Sequence, residues 1–495
     1  MKKYKKERLT IKNFSLVINT KSNKFDLKQE ETISTFNFMV DKGVLKKSCG
    51  AEELTLPQHK TSLQELRKLN YSGLIRFTKL WRYKFFSKHN QDYEYALIAL
   101  GSNNVIYFIN MFGYDDTIYT LNEFVFQETP NAITFRVNGE DVIGFCSPSD
   151  SLMVWYCDKM PYQVESAPKF SSICLHNQRL FAIDSEKNYL VRYSSNLNPL
   201  DWSTSSVAVT SAGSIELNDY KGSLKNLISF QDNVFVFRDF GISKISSYSN
   251  YSKFSATNIF NSSAKVFCNT ATICGTDIFF LCEDGLYKFD GFNVEKFDDS
   301  FAKVFTKNNE QTANTTYFDG KLYIACSLNF DDNLTIGCER EVDHKNNCLI
   351  IYDIQTKSYT ITRGIDISCM LGIKDEIISK LILSLNTSLG TKLWQLTENG
   401  LLDEEVLPKV WVGGNLTLGE FDKNKILKEV NLISKTDCTL IVSTDKTSKE
   451  YPIKADENLQ RVRINLTGKF FSFKFLSTSE NPYISTPQFV FNVEE

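Results

Sequence analysis

The residue types that most often perform catalysis or bind metals are few and scattered in this chain. Its four histidines are His59, His89, His176 and His344. His344 lies between Cys338 and Cys348 in the pattern Cys-x5-His-x3-Cys, whereas a structural zinc site takes four ligands, usually from closely spaced pairs. The sequence therefore favours a polar insertion at this point over a metal site.

Aspartates recur between apolar segments, where they could act as catalytic carboxylates or as turn residues. They are Asp115, Asp116, Asp284, Asp290, Asp298, Asp299, Asp331 and Asp332. A glycoside hydrolase needs two facing carboxylates at a fixed separation, while an Asp in a turn accepts hydrogen bonds from nearby backbone, and we expect the turn role. The chain also lacks GxSxG, Walker and HExxH motifs. We therefore predict no enzyme activity, no catalytic residue, no metal and no cofactor.

Cysteine and tryptophan side chains lie mostly inside apolar segments. A free Cys in such a segment behaves as a small hydrophobe, and we expect the 12 cysteines to be buried thiols of a chain made in a reducing cytoplasm. The tryptophans in or beside predicted strands are Trp155, Trp202, Trp394 and Trp411. Such rings can line a sugar-binding groove, but we expect them to pack between sheets.

Positive charge is concentrated near the N-terminus. Residues 1–90 contain 20 Lys and Arg against 8 Asp and Glu, and the remaining residues contain 36 against 51. The basic residues of the first segment include Lys2, Lys3, Lys5, Lys6, Arg8 and Lys12. A basic arm on an acidic body indicates a contact with a neighbouring subunit or with DNA. The alternative is a solvated N-terminus without a partner, and the sequence leaves both open.

The elements that must position these residues are pairs of short strands that recur along the chain. Each pair is a nearly all-apolar strand, a polar turn and an aromatic-rich strand, at 94–110, 141–158, 179–193, 233–247, 277–290, 321–361 and 380–397. Their starts lie 38 to 59 residues apart, which is close to the roughly 40–50 residues of a propeller blade. An apolar strand of this length suits burial between neighbouring blades.

The repeat predicts an all-β protein, with a β-propeller of six or seven antiparallel blades. We divide the chain into an extended basic N-terminal segment leading into the first blade (1–90), the propeller (91–400) and a C-terminal antiparallel sheet or sandwich (401–495). The aromatic segment 80–86 begins the first blade, and an insertion at 328–347 blurs the blade count. For the C-terminal part, a final blade with an added sheet is the alternative.

Apolar runs in the chain are only as long as strands, so we expect no membrane span. The basic start lacks the apolar core and the small-residue cleavage site of a signal peptide. We therefore predict that the protein is made in the cytoplasm and is not exported through a signal peptide.

Three stretches carry motifs that occur together in one group of proteins. The first, at 13–50, contains Phe14, Asn19, Thr20, Glu31, Thr32, Asn37, Gly43, Leu45 and Gly50. The second, at 171–204 and continuing through 213–245 and 277–291, contains His176, Asn177, Arg179, Leu180, Tyr193, Ser194, Pro199 and Trp202. The third is 411–435. Together they resemble the β-propeller proteins of phage virions, namely the packaged-DNA stabilisation and tail-accessory proteins of short-tailed phages and related tail propellers.

This resemblance implies a structural virion protein of the tail or of the head–tail neck, made in the host bacterial cytoplasm. Such a protein would assemble as a symmetric homo-oligomeric ring, bind other tail or neck proteins, and seal or contact packaged DNA through its basic arm. The alternative is a receptor- or glycan-binding propeller module at the tail tip. A third hypothesis, a glycan-active enzyme, would require a pair of facing carboxylates in a central pocket.

Overall fold

The structure is a computed structural model. It describes residues 4–11, 14, 16, 18–19, 22–27, 31–54, 67–68, 75–87, 91–109, 118–156, 161–205, 210–247, 254–330, 334–340, 345–356, 358–374, 379–387, 392–419 and 421–494. Six strands come first along the chain: β1 (Tyr4–Thr10), β2 (Thr32–Phe36), β3 (Phe38–Asp41), β4 (Val44–Lys47), β5 (Gly50–Glu53) and β6 (Arg67–Lys68).

Seven antiparallel blades follow in the described part of the chain. Blade 1 contains β7 (Phe77–Ser87), β8 (Asp92–Gly101), β9 (Val105–Ile109) and β10 (Ile118–Val125), with β6 at its edge. Blade 2 contains β11 (Asn131–Val137), β12 (Glu140–Cys146), β13 (Met153–Trp155) and β14 (Tyr162–Gln163). Blade 3 contains β15 (Phe170–His176), β16 (Arg179–Asp184), β17 (Leu190–Tyr193) and β18 (Gly213–Glu216). Blade 4 contains β19 (Leu224–Phe230), β20 (Asn233–Arg238), β21 (Gly241–Ser247) and β22 (Phe254–Asn261).

The last three blades differ in their connections. Blade 5 contains β23 (Val266–Cys274), β24 (Asp277–Cys282), β25 (Gly285–Phe289) and β26 (Val294–Asp298). A 3-10 turn (Ala302–Val304) and one helical turn, α1 (Asn309–Thr312), lead to blade 6, which contains β27 (Asn314–Phe318), β28 (Lys321–Cys326), β29 (Cys348–Asp353) and β30 (Ser358–Arg363). A second 3-10 turn (Gly337–Arg340) lies within the insertion between β28 and β29. Blade 7 contains β31 (Ile367–Lys374), β32 (Ser379–Leu385) and β33 (Trp394–Thr397).

Blade 7 takes its fourth strand from the N-terminal part of the chain. Strand β5 pairs antiparallel with β33, and two short strands, β34 (Leu401–Leu402) and β35 (Glu405–Val406), extend the same sheet. The innermost strands of successive blades are in contact, and β31 of blade 7 contacts β7 of blade 1. The blades therefore form a closed ring, and the predicted all-β propeller is confirmed with seven blades.

Burial explains why the repeat is visible in the sequence. The apolar strand of each recurring pair is the second strand of a blade, and it is buried along most of its length in all seven blades. Both of its faces contact neighbouring blades, so no polar face is needed. The segment at 80–86 lies in β7, so the prediction that it begins blade 1 is confirmed.

Hydrogen bonds made by side chains join the innermost strands of neighbouring blades. The Lys79 ammonium donates to Asn131 Oδ1 at 2.8 Å, joining blade 1 to blade 2. The Asn131 amide donates to the Ser171 carbonyl at 2.8 Å, and the Asn226 amide donates to the Cys268 carbonyl at 3.0 Å. These contacts fix adjacent blades relative to one another, so that the loops at the ends of the blades keep their spacing.

Two packed sheets form the C-terminal sandwich. Its strands are β36 (Lys409–Gly413), β37 (Lys425–Ser434), β38 (Cys438–Thr444), β39 (Ser448–Ile453), β40 (Asp456–Gly468), β41 (Phe471–Ser477) and β42 (Gln488–Glu494). One sheet has the order β2-β36-β41-β38-β39 and the other has the order β1-β42-β37-β40. Alternate residues of β37 and β41 are buried, as expected for sheets with one face in a core. Phe473 and Phe489 meet between the sheets, with ring centroids 3.9 Å apart.

The N-terminal strands belong to sheets that the sequence did not assign to them. Strand β1 pairs with β42 and β2 pairs with β36 in the sandwich, while β5 pairs with β33 in blade 7. In its described strands, the expected extended N-terminal segment therefore supplies an edge strand to each sandwich sheet, namely β1 and β2, and an inner strand to the sheet of blade 7, where β5 lies between β33 and β34. Periodicity failed here because it indicates a strand but does not identify a partner hundreds of residues away. The limits at residues 90 and 400 stay predictions.

Candidate functional site

Three of the six predicted contact residues lie on the edge strand β1. Lys6 and Arg8 are exposed, and Lys5 forms an ion pair with Glu7, with 3.2 Å between the charged atoms. Leu9 packs against the sandwich core, so Lys6 and Arg8 project from the opposite face of the strand. The other predicted contact residues, Lys2, Lys3 and Lys12, lie outside the described residues.

The single described histidine is a structural residue. Nδ1 of His176 lies 2.8 Å from the Ser229 hydroxyl oxygen, and Nε2 lies 3.0 Å from the Asn177 amide nitrogen. Burial lowers the pKa of His176 below its ordinary value, because a charged imidazolium is poorly solvated there. His59, His89 and His344 lie outside the described residues. Among the residues that are described, no group of three or more His, Cys, Asp and Glu side chains could hold a metal ion.

Turn hydrogen bonds account for two of the described aspartates that were candidate carboxylates, whereas the Asp284 carboxylate forms an ion pair with Lys296 and accepts the Tyr287 hydroxyl. The Asp290 carboxylate accepts the backbone N–H groups of Phe292 and Asn293, at 2.8 and 2.7 Å. These hydrogen bonds hold the pKa of Asp290 below its ordinary value. Asp298 accepts the backbone N–H of Ser300 at 2.8 Å. The predicted turn role is confirmed at both residues. Asp115, Asp116, Asp331 and Asp332 lie outside the described residues.

Cysteine and tryptophan side chains fill the interior, as predicted. Eleven cysteines are described as free, and all except Cys49 are buried. Burial raises the pKa of the thiols, for example that of Cys146 to about 12, so they are poor nucleophiles near neutral pH. The four tryptophans that could have lined a sugar groove are buried: Trp155, Trp202, Trp394 and Trp411.

A different set of residues forms a groove at the hairpin ends of blades 1, 2 and 3. The pairing of β7 with β8 puts Lys84 opposite Tyr95 and Phe86 opposite Tyr93, so cations and rings share one face. The Lys84 ammonium lies 4.6 Å from the centre of the Tyr93 ring. Phe86 and Tyr93 meet edge to face, with centroids 5.5 Å apart. Both rings remain exposed, at 43% and 42%.

Arg136 links the wall from blade 1 to that from blade 2. Its Nε donates to Asp141 Oδ1 at 2.7 Å, and its Nη2 donates to the Tyr93 hydroxyl at 3.3 Å. The ion pair joins directly opposite residues of β11 and β12. The groove encloses about 740 Å³ and is lined by Lys84, Tyr93, Thr134, Phe135, Arg136, Asn138, Gly139, Asp141, Leu175, Gln178, Leu197 and Pro199.

The third wall comes from loops of blade 3. Leu197 is 72% exposed and has a backbone φ of 61°, a left-handed conformation that is unfavourable for a bulky residue. The loop is held by a hydrogen bond of 2.7 Å from the Ser195 hydroxyl to Asp201, and by backbone bonds between Ser195, Asn198 and Asp201. An exposed apolar side chain is therefore kept beside Tyr93 and Arg136 at a cost in backbone strain.

The sequence analysis missed this groove. It recognised 80–86 as a strand and 171–204 as part of a repeated motif, but not that their hairpin ends meet. The alternation of cations and rings in segment 81–86 was the available signal, since Arg82, Lys84 and Phe86 fall on one face of a strand. The partners on blades 2 and 3 become visible only when the blades are placed side by side.

No known protein family matches this chain, and no curated protein matches it. Solved structures that resemble it include virginiamycin B lyase from Staphylococcus aureus, with 10% identity over 67% of this chain and 98% of the lyase, and a TM-score of 0.37. Another is the extracellular domain of a one-component system of B. thetaiotaomicron, with 12% identity over 81% of this chain and 48% of that protein, and a TM-score of 0.40. A third is BBS1N in complex with ARL6DN, with 8% identity over 70% of this chain and 95% of that chain, and a TM-score of 0.39.

These likenesses carry no argument about function, and the propeller assignment rests on the strand order described above. None of the three is a phage virion protein, so the resemblance to that group stays a prediction, as does the absence of enzyme activity. Within the described residues, no helix has the length and apolar character needed to cross a bilayer.

Proposed function

We propose that this protein is a structural component of a phage virion, in the tail or at the head–tail neck, where copies form a symmetric ring. The observation that carries the proposal is the basic edge strand β1. It holds Lys6 and Arg8 at the surface, and the pairing of Tyr4–Thr10 with Gln488–Glu494 keeps it in an extended conformation. The resemblance of three sequence stretches to virion propellers gives the particular setting.

An ordered edge strand supports a contact between subunits for two reasons. Its outer side has backbone groups that can pair with another chain, a recurrent mode of association. Its cations face solvent, whereas the rest of the chain beyond residue 90 carries 51 acidic against 36 basic residues. A basic patch that docks on a different, acidic surface of the next copy makes a head-to-tail contact, and such contacts form a ring when the rotation between successive copies closes.

The same strand supports a role beside packaged DNA. Cations on a rigid strand can bind phosphates without reading the sequence, and such binding weakens steeply with salt. The proposed partners are therefore further copies of this chain, other tail or neck proteins, and packaged DNA.

Mass photometry at low and high salt tests the ring, with the double variant Lys6→Gln and Arg8→Gln as the probe. We expect wild-type protein to form one closed oligomer that the double variant populates less, because an interface between charges is lost. The matched control is Lys446→Gln with Lys449→Gln, two exposed cations at the β38–β39 end of the sandwich.

Immunogold labelling of purified phage particles tests the location of the protein in the virion. A wild-type protein that stays monomeric at every concentration and is absent from particles would contradict the proposal.

A further inference from the structure

We infer that the groove between the hairpin ends of blades 1, 2 and 3 binds a saccharide that carries a carboxylate. This goes beyond the proposed ring, because the groove lies on the propeller and β1 lies on the sandwich. The enclosed volume of about 740 Å³ falls within the range of roughly 300–1,000 Å³ that small-molecule sites occupy. The lining combines exposed apolar surface with a few polar groups, which is the composition of such sites.

The charge of the groove selects an anion. Its charged lining residues are Lys84, Arg136 and Asp141. Asp141 is paired with Arg136 at 2.7 Å, which leaves the Lys84 ammonium as the uncompensated charge. Within the described residues Lys84 has no carboxylate at ion-pair distance, and it rests over the ring of Tyr93. One unpaired cation beside a guanidinium fits a ligand with one carboxylate, because both groups can donate to it.

The remaining lining residues favour a sugar ring. A pyranose has an apolar face of C–H groups and a rim of hydroxyls. Tyr93 and Leu197, which are 42% and 72% exposed, offer apolar surface on which the C–H face of the sugar can pack. The side-chain amides of Asn138 and Gln178 lie in the groove and have no hydrogen-bond partner among the described residues. They can therefore donate hydrogen bonds to the sugar hydroxyls and accept hydrogen bonds from them. An acidic peptide would instead bring several carboxylates to a groove with one uncompensated cation.

Backbone strain at Leu197 is an independent pointer to a ligand. Its φ of 61° is one that Asn or Gly adopts more easily. The hydrogen bond between Ser195 and Asp201 holds this conformation. A bulky apolar side chain at a strained, solvent-exposed position contributes little to folding, and strain of this kind clusters at ligand-binding sites.

An array of immobilised glycans tests the inference first. It should carry saccharides with sialic or hexuronic acids, their neutral counterparts, and a poly-aspartate peptide. We expect retention on acidic glycans only. Calorimetry then compares the best acidic oligosaccharide with the same molecule after reduction of its carboxyl group to an alcohol. Since a hydrogen bond to a charged group is lost, affinity should fall about tenfold.

Three variants locate binding in the groove. Lys84→Gln should weaken binding about tenfold, by the same loss of a charged hydrogen bond. Tyr93→Ala should weaken it at least as much, because it removes both the exposed ring and the hydroxyl that Arg136 contacts. Leu197→Asn should weaken it about fivefold through lost apolar contact while leaving the unfolding temperature unchanged or higher. That combination separates a ligand contact from a folding defect.

A matched pair on blades 4 and 5 controls for nonspecific effects. The Lys244 ammonium lies 5.7 Å from the ring centre of Phe292, which is 72% exposed. Lys244→Gln removes the same kind of charge and Phe292→Ala removes an exposed ring, both away from the groove, and both should leave affinity unchanged. Three results would each overturn the inference. They are an equal loss of affinity in these control variants, stronger retention on poly-aspartate than on acidic glycans, and no retention on any glycan. None of these results bears on ring formation, which is read from particle mass.

Discussion

A buried asparagine contributes to the connection between the sandwich and the propeller. Asn37 is buried, at 2% exposure, and its amide nitrogen donates to the Arg363 carbonyl at 3.1 Å and to the Pro408 carbonyl at 2.8 Å. Its amide oxygen accepts the Arg363 N–H at 2.8 Å. The Arg363 guanidinium forms a two-point ion pair with buried Glu339 and lies 5.1 Å from the Phe36 ring centre. Residues next to β2 thus bind directly to the end of blade 6.

Replacing Asn37 with Ala should lower the free energy of unfolding by about 3 kcal/mol, because buried backbone groups lose their partners and a non-Gly residue keeps a left-handed φ. Chemical unfolding followed by fluorescence measures this. Asn104→Ala is the matched control, because Asn104 has φ of 60° against 61° for Asn37 but makes no side-chain hydrogen bond within the described residues. Asn104→Ala should lower the free energy of unfolding by only about 1 kcal/mol. Equal costs would show that the amide contacts do not hold the joint.

At the scale of elements, strands buried on both faces were predictable, and strands whose partners lie far away in the chain were not. The second strands of the blades are apolar runs bounded by polar turns, and that pattern depends on local sequence alone. Strand β5 has the sequence Gly50, Ala51, Glu52, Glu53, which carries no strand signal by composition. Its position is decided by β33. The candidate groove was missed for the same reason, since it combines three hairpin ends that are distant in the chain.

Gly50→Ala should open blade 7 and lower the free energy of unfolding by about 2–3 kcal/mol, the usual cost of overpacking. A Cβ at Gly50 would lie 2.1 Å from the Leu401 carbonyl oxygen and 2.4 Å from its amide nitrogen, so backbone would have to move. Hydrogen exchange should show faster exchange in β33.

Glu53→Ala in the same strand is the control for Gly50→Ala. It removes an exposed ion pair with Lys392, which is worth less than about 1 kcal/mol. If Gly50→Ala left β33 as protected as this control does, β5 would not be what stabilises the outer part of blade 7.

At the scale of the whole molecule, propeller and sandwich share the N-terminal part of the chain. The repeat predicted the propeller, and alternation after residue 400 predicted a sandwich or added sheet. Neither pattern indicated that β1 and β2 complete the sandwich. Phe14, a residue of the first resemblance motif, packs in this core against Trp411, with ring centroids 5.0 Å apart. This motif residue therefore contributes to joining the chain's beginning to its later strands.

Deleting residues 1–12 should leave the seven blades intact and loosen only the sandwich. The deletion removes β1 and the buried side chain of Ile11, but no described blade strand. Hydrogen exchange should therefore rise in β42 and stay unchanged in the second strands of the blades. Incorporation into particles should fall, and the difference from the full-length protein should be largest at low salt, because high salt screens the charge contacts of the segment in the full-length protein as well. Exchange that rises throughout the blades would contradict this division.

Strands β1 and β5 are synthesised long before the strands with which they pair. At roughly 5–20 residues per second, a ribosome needs about 20–70 s to proceed from β5 to β33, and longer from β1 to β42. During that time an early strand has open backbone groups, which favour aggregation on crowded polysomes. Lysine is a common protection for such strands, and β1 has Lys5 and Lys6 at this position. We therefore expect the lysines of β1 to act before the protein has folded, by keeping the nascent strand soluble until its partner emerges.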